Sequence, residues 1–91
     1  MRKNRYVMRI RSLVVKCMID RRYCEEYDPV MARAVPQIVL ERNSMYVCPF
    51  CKRLFEKEYS IYQHILQSHG DIVDYYYNKY MVTKYRLLGW L

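Results

Sequence analysis

Residues 46–69 read YVCPFCKRLFEKEYSIYQHILQSH, and the chemistry of this stretch decides the fold around it. Its cysteines and histidines follow the pattern C-x2-C-x12-H-x4-H, with candidate ligands at Cys48, Cys51, His64 and His69. A C-x2-C turn brings two sulfurs together at the end of a hairpin, and two histidines at this spacing on a helix lie near one face. Because two thiolates and two imidazoles complete a tetrahedral shell, the spacing predicts one bound zinc ion per chain.

The apolar residues around these four ligands follow an equally regular pattern. Tyr46 precedes the first cysteine, and Phe55 and Ile61 lie between the two ligand pairs. The complete pattern, aromatic-x-C-x2-C-x3-F-x5-aliphatic-x2-H-x4-H, resembles the C2H2 zinc-finger family, in which leucine is usual at the position of Ile61. The resemblance covers about a quarter of the chain. It implies a ββα zinc finger over residues 46–70.

The resemblance also implies where the elements of this finger lie. Residues 46–55 are expected to form a hairpin that closes at the C-P-F-C knuckle of residues 48–51, and a helix is expected from about Lys57 to Ser68. Gly70 is well placed as the C-terminal cap of that helix. A zinc ion with four protein ligands has no open position for water or substrate, so its expected role is structural.

Catalytic groups are scarce in the rest of the chain. Both histidines are assigned to zinc, which leaves no Cys/His or Ser/His pair for nucleophilic catalysis. We therefore expect a protein that is not an enzyme and has no small-molecule substrate.

The bulk composition indicates a small folded protein. With 91 residues, of which 53% are apolar, the chain can form one small domain that needs a staple such as zinc. No uninterrupted apolar run approaches the roughly 20 residues of a membrane span. Lys16 and Asp20 interrupt the apolar region that a signal peptide would need. Because zinc thiolates must stay reduced, we expect an intracellular protein of the nucleoid, the nucleus or an infected host cytoplasm, and not a secreted one.

The positive charge is concentrated before the expected finger. Residues 1–22 carry a net charge of +7, the same as the whole chain, because Asp20 alone opposes eight basic residues: Arg2, Lys3, Arg5, Arg9, Arg11, Lys16, Arg21 and Arg22. Such a segment favours a polyanionic partner, with nucleic acid ahead of an anionic membrane surface. A solvated face that only maintains solubility is the alternative.

Two periodicities compete in this basic segment. Polar residues recur every three or four positions at 5, 9, 12, 16 and 20, which favours an amphipathic helix. Its inward residues would be Tyr6, Ile10, Leu13, Val14, Cys17 and Met18. A strand is the alternative, because residues 8–11 alternate and the segment is rich in β-branched residues. We favour the helix.

The stretch between this segment and the finger shows two further signals. Asp28 followed by Pro29 predicts the start of a short helix that Pro36 ends. Residues 37–40 are β-prone and predict a strand, with a turn at residues 42–44. Cys17 and Cys24 remain outside the zinc site, and we expect two free, partly buried thiols, with a disulfide and a carboxylate-assisted or intersubunit metal site as the alternatives.

The C-terminal stretch predicts an aromatic helix that Asp71 caps. Its apolar stripe, which Lys84 interrupts, consists of Val73, Tyr76, Tyr77, Tyr80, Leu87 and Leu88. This helix is expected to pack on residues 1–45 or to form a homodimer interface, and stacking of its tyrosines on unpaired bases is a third possibility. The expected fold class is thus α+β, with a basic segment at residues 1–45, a C2H2 finger at 46–70 and an aromatic helix at 71–91.

The resemblance implies a function through the exposed face of the finger helix. In the family, this helix enters the DNA major groove and contacts about three base pairs. The matching positions are Lys57, Ser60 and Gln63, with Tyr59 at an auxiliary position. Phosphate contacts are expected from Lys52 and Arg53 in the hairpin and from the basic segment, in particular Arg2, Lys3, Arg5 and Arg9.

We therefore expect a zinc-dependent DNA-binding protein, a small transcriptional regulator. A protein-interaction module and a binder of structured RNA are the alternatives. Short, basic, tyrosine-rich chains with one such finger resemble small regulatory proteins of viruses that infect hot-spring archaea.

Overall fold

The computed structural model of the chain describes residues 5–89, which form five helices and a three-stranded antiparallel sheet. This confirms the α+β class. Arg2 and Lys3, predicted to contact DNA, lie outside the described residues, as do the last two residues of the predicted C-terminal segment. The elements are α1 (Arg5–Ile19), α2 (Arg22–Glu25), α3 (Pro29–Ala34), β1 (Leu40–Arg42), β2 (Met45–Val47), β3 (Leu54–Phe55), α4 (Glu58–Ser68) and α5 (Gly70–Leu87).

The basic segment is helical, as the polar periodicity predicts. Its C-terminal half enters the core, where Val14, Val15, Cys17 and Met18 are fully buried. Tyr6 was expected to point inward, but 46% of it is exposed. It lies at the first turn of α1, and Lys84 Nζ is 5.9 Å from the centre of its ring.

The two remaining cysteines form a disulfide between α1 and α2. The chain turns after Ile19, and this turn brings the Cα atoms of Cys17 and Cys24 to 5.7 Å from each other. That separation is within the range that a disulfide requires. The structure therefore has the disulfide, and the expectation of two free thiols is wrong, because the turn after Ile19 places the two cysteines side by side.

The short helix predicted after Asp28 is present as α3. The Met31 N–H donates to Asp28 Oδ1 at 3.2 Å, so this carboxylate caps the helix, with Pro29 at its first position. The residue before Pro36 is extended, which ends the helix as predicted. Asp28 has a second role, because its other oxygen accepts a 2.6 Å hydrogen bond from the Tyr80 hydroxyl.

The strand predicted at residues 37–40 is wrong in its position. The N–H groups of Ile38 and Val39 donate to Met18 O at 3.0 and 2.9 Å, so this stretch ties down the end of α1. The strand β1 begins only at Leu40 and pairs with β2. Asn43 and Ser44 form the tight turn between these strands, both with positive φ. The predicted turn at residues 42–44 is thus confirmed, whereas the pairing of β1 with β2 into a hairpin was not predicted.

The second hairpin and the following helix agree with the prediction. Strand β2 pairs with β3 in the register Tyr46↔Phe55 and Val47↔Leu54, and α4 begins one residue later than expected. Gly70, however, does not cap α4. His69, with φ −126° and ψ 37°, separates the two helices, and Gly70 is already the first residue of α5. His69, and not Asp71 as predicted, is therefore the residue that precedes α5.

Helix α5 packs on α1 and α3, which is one of the two expected arrangements, and it buries Val73 and Tyr80. Leu87 and Leu88 do not continue the buried stripe, because 58% and 53% of them are exposed. Residues from all three predicted segments contribute to one hydrophobic core. Among residues 5–89, no helix combines the length and apolar composition that a membrane span requires.

Candidate metal centre

The four predicted ligands come together at the junction of the second hairpin and α4. Cys48 follows β2, Cys51 lies in the knuckle, His64 lies on α4 and His69 follows it. Their ligand atoms all lie within 4.8 Å of one another. His64 Nε2 is 3.2 Å from Cys51 Sγ and 3.3 Å from His69 Nε2, and His69 Nε2 is 3.5 Å from Cys48 Sγ.

These separations suit a tetrahedral ion. Metal–sulfur bonds of about 2.3 Å and metal–nitrogen bonds of about 2.05 Å place sulfur and nitrogen about 3.6 Å apart, and two nitrogens about 3.3 Å apart, at tetrahedral angles. The three separations are close to these edges. The four residues can therefore hold one metal ion.

The backbone of the knuckle holds the two sulfurs in place. The Cys48 N–H donates to Arg53 O and the Lys52 N–H donates to Cys48 O, both at 2.9 Å. Lys52 closes this loop with a positive φ of 67°. Burial raises the pKa of the Cys48 thiol, while N–H groups of Cys51 and Phe50 donate to its sulfur and favour the thiolate.

Aromatic rings flank the two imidazoles. The Phe55 ring lies 4.8 Å from that of His64, and the Phe50 ring lies 5.0 Å from that of His69, measured between centroids. Burial lowers the pKa of His64, and the charges of His69 and Arg53 lower it further. The neutral imidazole that results is the form that binds metals.

The outer face of α4 carries the residues predicted to read DNA bases. Lys57, Tyr59 and Ser60 are exposed, and Gln63 is half-buried. The Gln63 side chain is already engaged within the helix, because its Nε2 donates to the Tyr59 hydroxyl at 3.0 Å and its Oε1 accepts from Gln67 at 3.2 Å. Lys52 and Arg53 are exposed beside the knuckle, where Lys52 Nζ donates to Pro49 O.

The charge count of the basic segment overstates the positive charge that it presents. Three of its arginines form ion pairs at 2.8 Å: Arg11 with Asp74, Arg21 with Glu25, and Arg22 with Asp20. The Arg11 contact is ionic, without the alignment of a hydrogen bond. Within residues 5–89, no ion pair involves Arg5, Arg9 or Lys16, which are exposed on α1.

The row of Arg5, Arg9, Ser12 and Lys16 on α1, here named the basic row, meets α4 at Tyr62. The Tyr62 hydroxyl donates to Ser12 Oγ at 2.7 Å, and Lys16 Nζ lies 5.9 Å from the centre of the Tyr62 ring. Sequence reasoning did not single out Ser12 or Tyr62 as functional. The polar periodicity already contained Ser12, whereas nothing in the sequence paired it with Tyr62.

Tyr62 also connects the basic row to the outer face of α4. Its ring centre lies 6.2 Å from that of Tyr59, 69% of which is exposed. Lys16, Tyr59 and Tyr62 share the lining of a surface cavity of about 410 Å³. Arg9, Ser12 and Lys16 line the neighbouring one. The basic row and the outer face of α4 are therefore parts of one continuous surface.

Comparisons of this chain with protein-family models, with curated proteins and with solved structures found no match.

Proposed function

We propose that this chain is a zinc-dependent protein that binds double-stranded DNA, of the C2H2 zinc-finger type, and that it acts as a small transcriptional regulator. One observation carries the proposal: the basic row of α1 continues, through Tyr62, into the outer face of α4. A DNA-binding surface needs both phosphate contacts and contacts to base edges. The two parts of this surface are chemically suited to these two tasks.

Zinc is the ion that the donor set favours. Two thiolates exclude the hard ions magnesium and calcium, which prefer oxygen ligands. A closed tetrahedral S₂N₂ set, with cysteines and histidines at finger spacing, is typical of structural zinc. The ion would fix the knuckle against α4 and so hold Lys52, Arg53 and Lys57 near one another.

Base contacts would come from the outer face of α4. Lys57 can donate to guanine O6 or N7, and Gln63 can pair with adenine through both ends of its amide. Gln63 would exchange its hydrogen bonds with Tyr59 and Gln67 for such a pair. Tyr59 would then be free to contact a thymine methyl group, and Ser60 suits several bases.

Phosphate contacts would come from Arg5, Arg9 and Lys16, together with Lys52 and Arg53. None of them has a carboxylate partner within residues 5–89, so binding would not require an ion pair to break. Residues 5–19 would act as a rigid helix along the backbone and not as a flexible arm, because their inner side is part of the core.

The acidic residues at the start of α4 do not oppose this proposal equally. The Glu58 carboxylate accepts a 2.8 Å hydrogen bond from the Tyr23 hydroxyl, and it lines the same cavity as Lys16, Tyr59 and Tyr62, where its charge partly offsets that of Lys16. Glu56 is exposed beside Lys57 and would repel phosphate, so it is the residue whose neutralisation should strengthen binding.

The test is a titration of a labelled DNA duplex with the zinc-loaded protein over a range of salt concentrations. Five phosphate contacts predict a slope of about −4.5 in log affinity against log salt. Arg9→Gln and Lys16→Gln should each reduce the slope by about 1. Arg33→Gln is the matched control, since Arg33 is exposed on α3, outside the proposed surface. A slope near zero would contradict DNA binding.

Competitors in the same assay separate the other expected functions. Duplex RNA that displaces the DNA probe at equal concentration would favour a structured-RNA binder. Absence of binding to both nucleic acids would leave the protein-interaction module as the better reading.

A further inference from the structure

Six exposed side chains form a row along α5 on the side opposite to its buried residues Val73 and Tyr80. At about 100° per residue, the positions of this row fall on one outward-facing side of the helix. The row, here named the outer row of α5, consists of Asp71, Tyr75, Asn78, Lys79, Val82 and Arg86.

The outer row exposes apolar side chains as well as charged ones. Tyr75 is 61% exposed and Val82 is 42% exposed, although both are large hydrophobic residues. Both line one surface groove of about 410 Å³, whose other lining residues include Lys79 and Arg86. Another helix can pack on such an unpartnered face by inserting its side chains between those of α5.

The order of acidic, apolar and basic residues along the outer row favours a second copy of α5 as the helix that covers it. Its sequence positions are symmetric about the point between Asn78 and Lys79. If a second copy of α5 runs antiparallel across the row, Asp71 faces the partner's Arg86 and Tyr75 faces the partner's Val82. Asn78 and Lys79 lie on opposite flanks of the row beside the axis, so each lies opposite its own symmetry mate, and the two Lys79 ammonium groups would turn outward into solvent. The Asp71–Arg86 and Tyr75–Val82 pairs are complementary, and two-fold symmetry makes each occur twice.

The charges also select the orientation. A parallel arrangement would place Asp71 opposite the partner's Asp71 and Arg86 opposite the partner's Arg86, and like charges in contact are unfavourable. Only the antiparallel arrangement joins acidic and basic ends. The outer row is about 23 Å long at 1.5 Å per residue, which is enough for four helical turns to pack against their symmetry mates.

We propose that two copies of this chain associate through the outer rows of their α5 helices, antiparallel and about a two-fold axis between residues 78 and 79. The proposal is independent of the DNA-binding function, because neither α4 nor the basic row takes part. The contact area of a single helix pair is small, so the dimer should dissociate in the micromolar range.

The test is sedimentation of the zinc-loaded chain, without DNA, from about 1 µM to about 1 mM. The wild-type chain is expected to convert from monomer to dimer within this range. Asp71→Arg and Arg86→Asp should each weaken dimerisation by about tenfold, because each reverses two symmetry-related contacts. Arg42→Asp is the control for charge alone, since Arg42 is exposed on β1, and it should leave the dimer unchanged.

Mixing the two single variants gives the decisive result. A mixed dimer of Asp71→Arg with Arg86→Asp restores opposite charges at both ends, so an equimolar mixture should dimerise as well as the wild-type chain, although neither variant does so alone. This recovery also shows that both variants are folded. A wild-type chain that stays monomeric throughout, a dimer insensitive to both reversals, or a mixture without recovery would each overturn the proposal.

Discussion

The Tyr62 hydroxyl donates a 2.7 Å hydrogen bond to Ser12 Oγ and so joins two helices that lie 50 residues apart in sequence. The same two helices share buried side chains, among them Ile61 and Ile65 of α4 and Val14 of α1. Helix α4 therefore carries the candidate metal ligand His64, while its buried side chains belong to a larger core. The unit that folds is therefore larger than the 24 residues of the stretch 46–69.

Removing the Tyr62 hydroxyl should test how much this hydrogen bond between α1 and α4 stabilises the fold. Tyr62→Phe leaves the ring in place but removes the donor, so Ser12 loses its partner in a half-buried position. We expect the free energy of unfolding to fall by about 1 kcal/mol, measured by urea denaturation with the metal bound. Tyr27→Phe is the matched control, because 77% of Tyr27 is exposed, and it should change stability by less than about 0.5 kcal/mol. Equal effects of the two variants would argue against a structural role for the Tyr62–Ser12 bond.

A second long-range contact predicts how stability depends on pH. Burial and then the hydrogen bond to the Asp28 carboxylate raise the pKa of Tyr80 above its ordinary value of 10.0. Above pH 10 the unfolded chain loses this proton while the folded chain keeps it. The stability that Tyr80 contributes is therefore complete below about pH 10 and declines as pH rises beyond it.

The comparison of wild type with Tyr80→Phe isolates this contribution from the other tyrosines and the lysines. We expect Tyr80→Phe to be less stable by about 1.5–3 kcal/mol at neutral pH, because a hydrogen bond to a charged acceptor is lost. The difference between the two chains should then shrink above pH 10 in denaturation curves. A difference that stays constant with pH would mean that the pKa of Tyr80 is not raised in the folded state.

Loss of one metal ligand should unfold the region around the metal centre while the rest of the chain stays folded. Cys51→Ser replaces a thiolate by a poor zinc ligand in an exposed position, so metal content should fall well below one ion per chain. We expect amides of β2, β3 and the knuckle to lose their protection from hydrogen exchange. Amides of α1 and α5 should remain protected, because much of the core on which they pack, including Val14, Met18 and Met31, lies outside the finger.

Ser60→Ala serves as the control for this experiment, since Ser60 is exposed on the same helix and is not a candidate ligand. It should retain one ion per chain. If Cys51→Ser also retained one ion per chain, the four-ligand assignment would be wrong.

The features that could be predicted from the sequence are those whose geometry depends on residues close to one another in the chain. The ligand spacing, the second hairpin, the cap at Asp28 and the helix up to Ser68 all depend on residues a few positions apart. The turn at residues 42–44 was predicted as well, but the strand before it was placed at residues 37–40, so its pairing with β2 into the first hairpin was missed.

The remainder depends on contacts between residues far apart in sequence. Counting charges in residues 1–22 could not reveal that Asp74, near the other end of the chain, neutralises Arg11. Nor could it reveal that Tyr62 would bring Lys16 to the outer face of α4. The basic segment thus presents fewer free charges than its composition indicates, but those that remain lie where the proposed function needs them.

The disulfide is the feature on which sequence and structure differ most, and it can be tested by counting thiols. In denaturant with a metal chelator and no reductant, we expect two reactive thiols, those of Cys48 and Cys51, and four after reduction. The Cys17–Cys24 bond closes a short loop, so reduction should lower the free energy of unfolding by about 2 kcal/mol in the loop-entropy description. A double variant with alanine at both positions should be insensitive to reductant. Four reactive thiols before reduction would show that Cys17 and Cys24 are free, and α1 would then be held to α2 by packing alone.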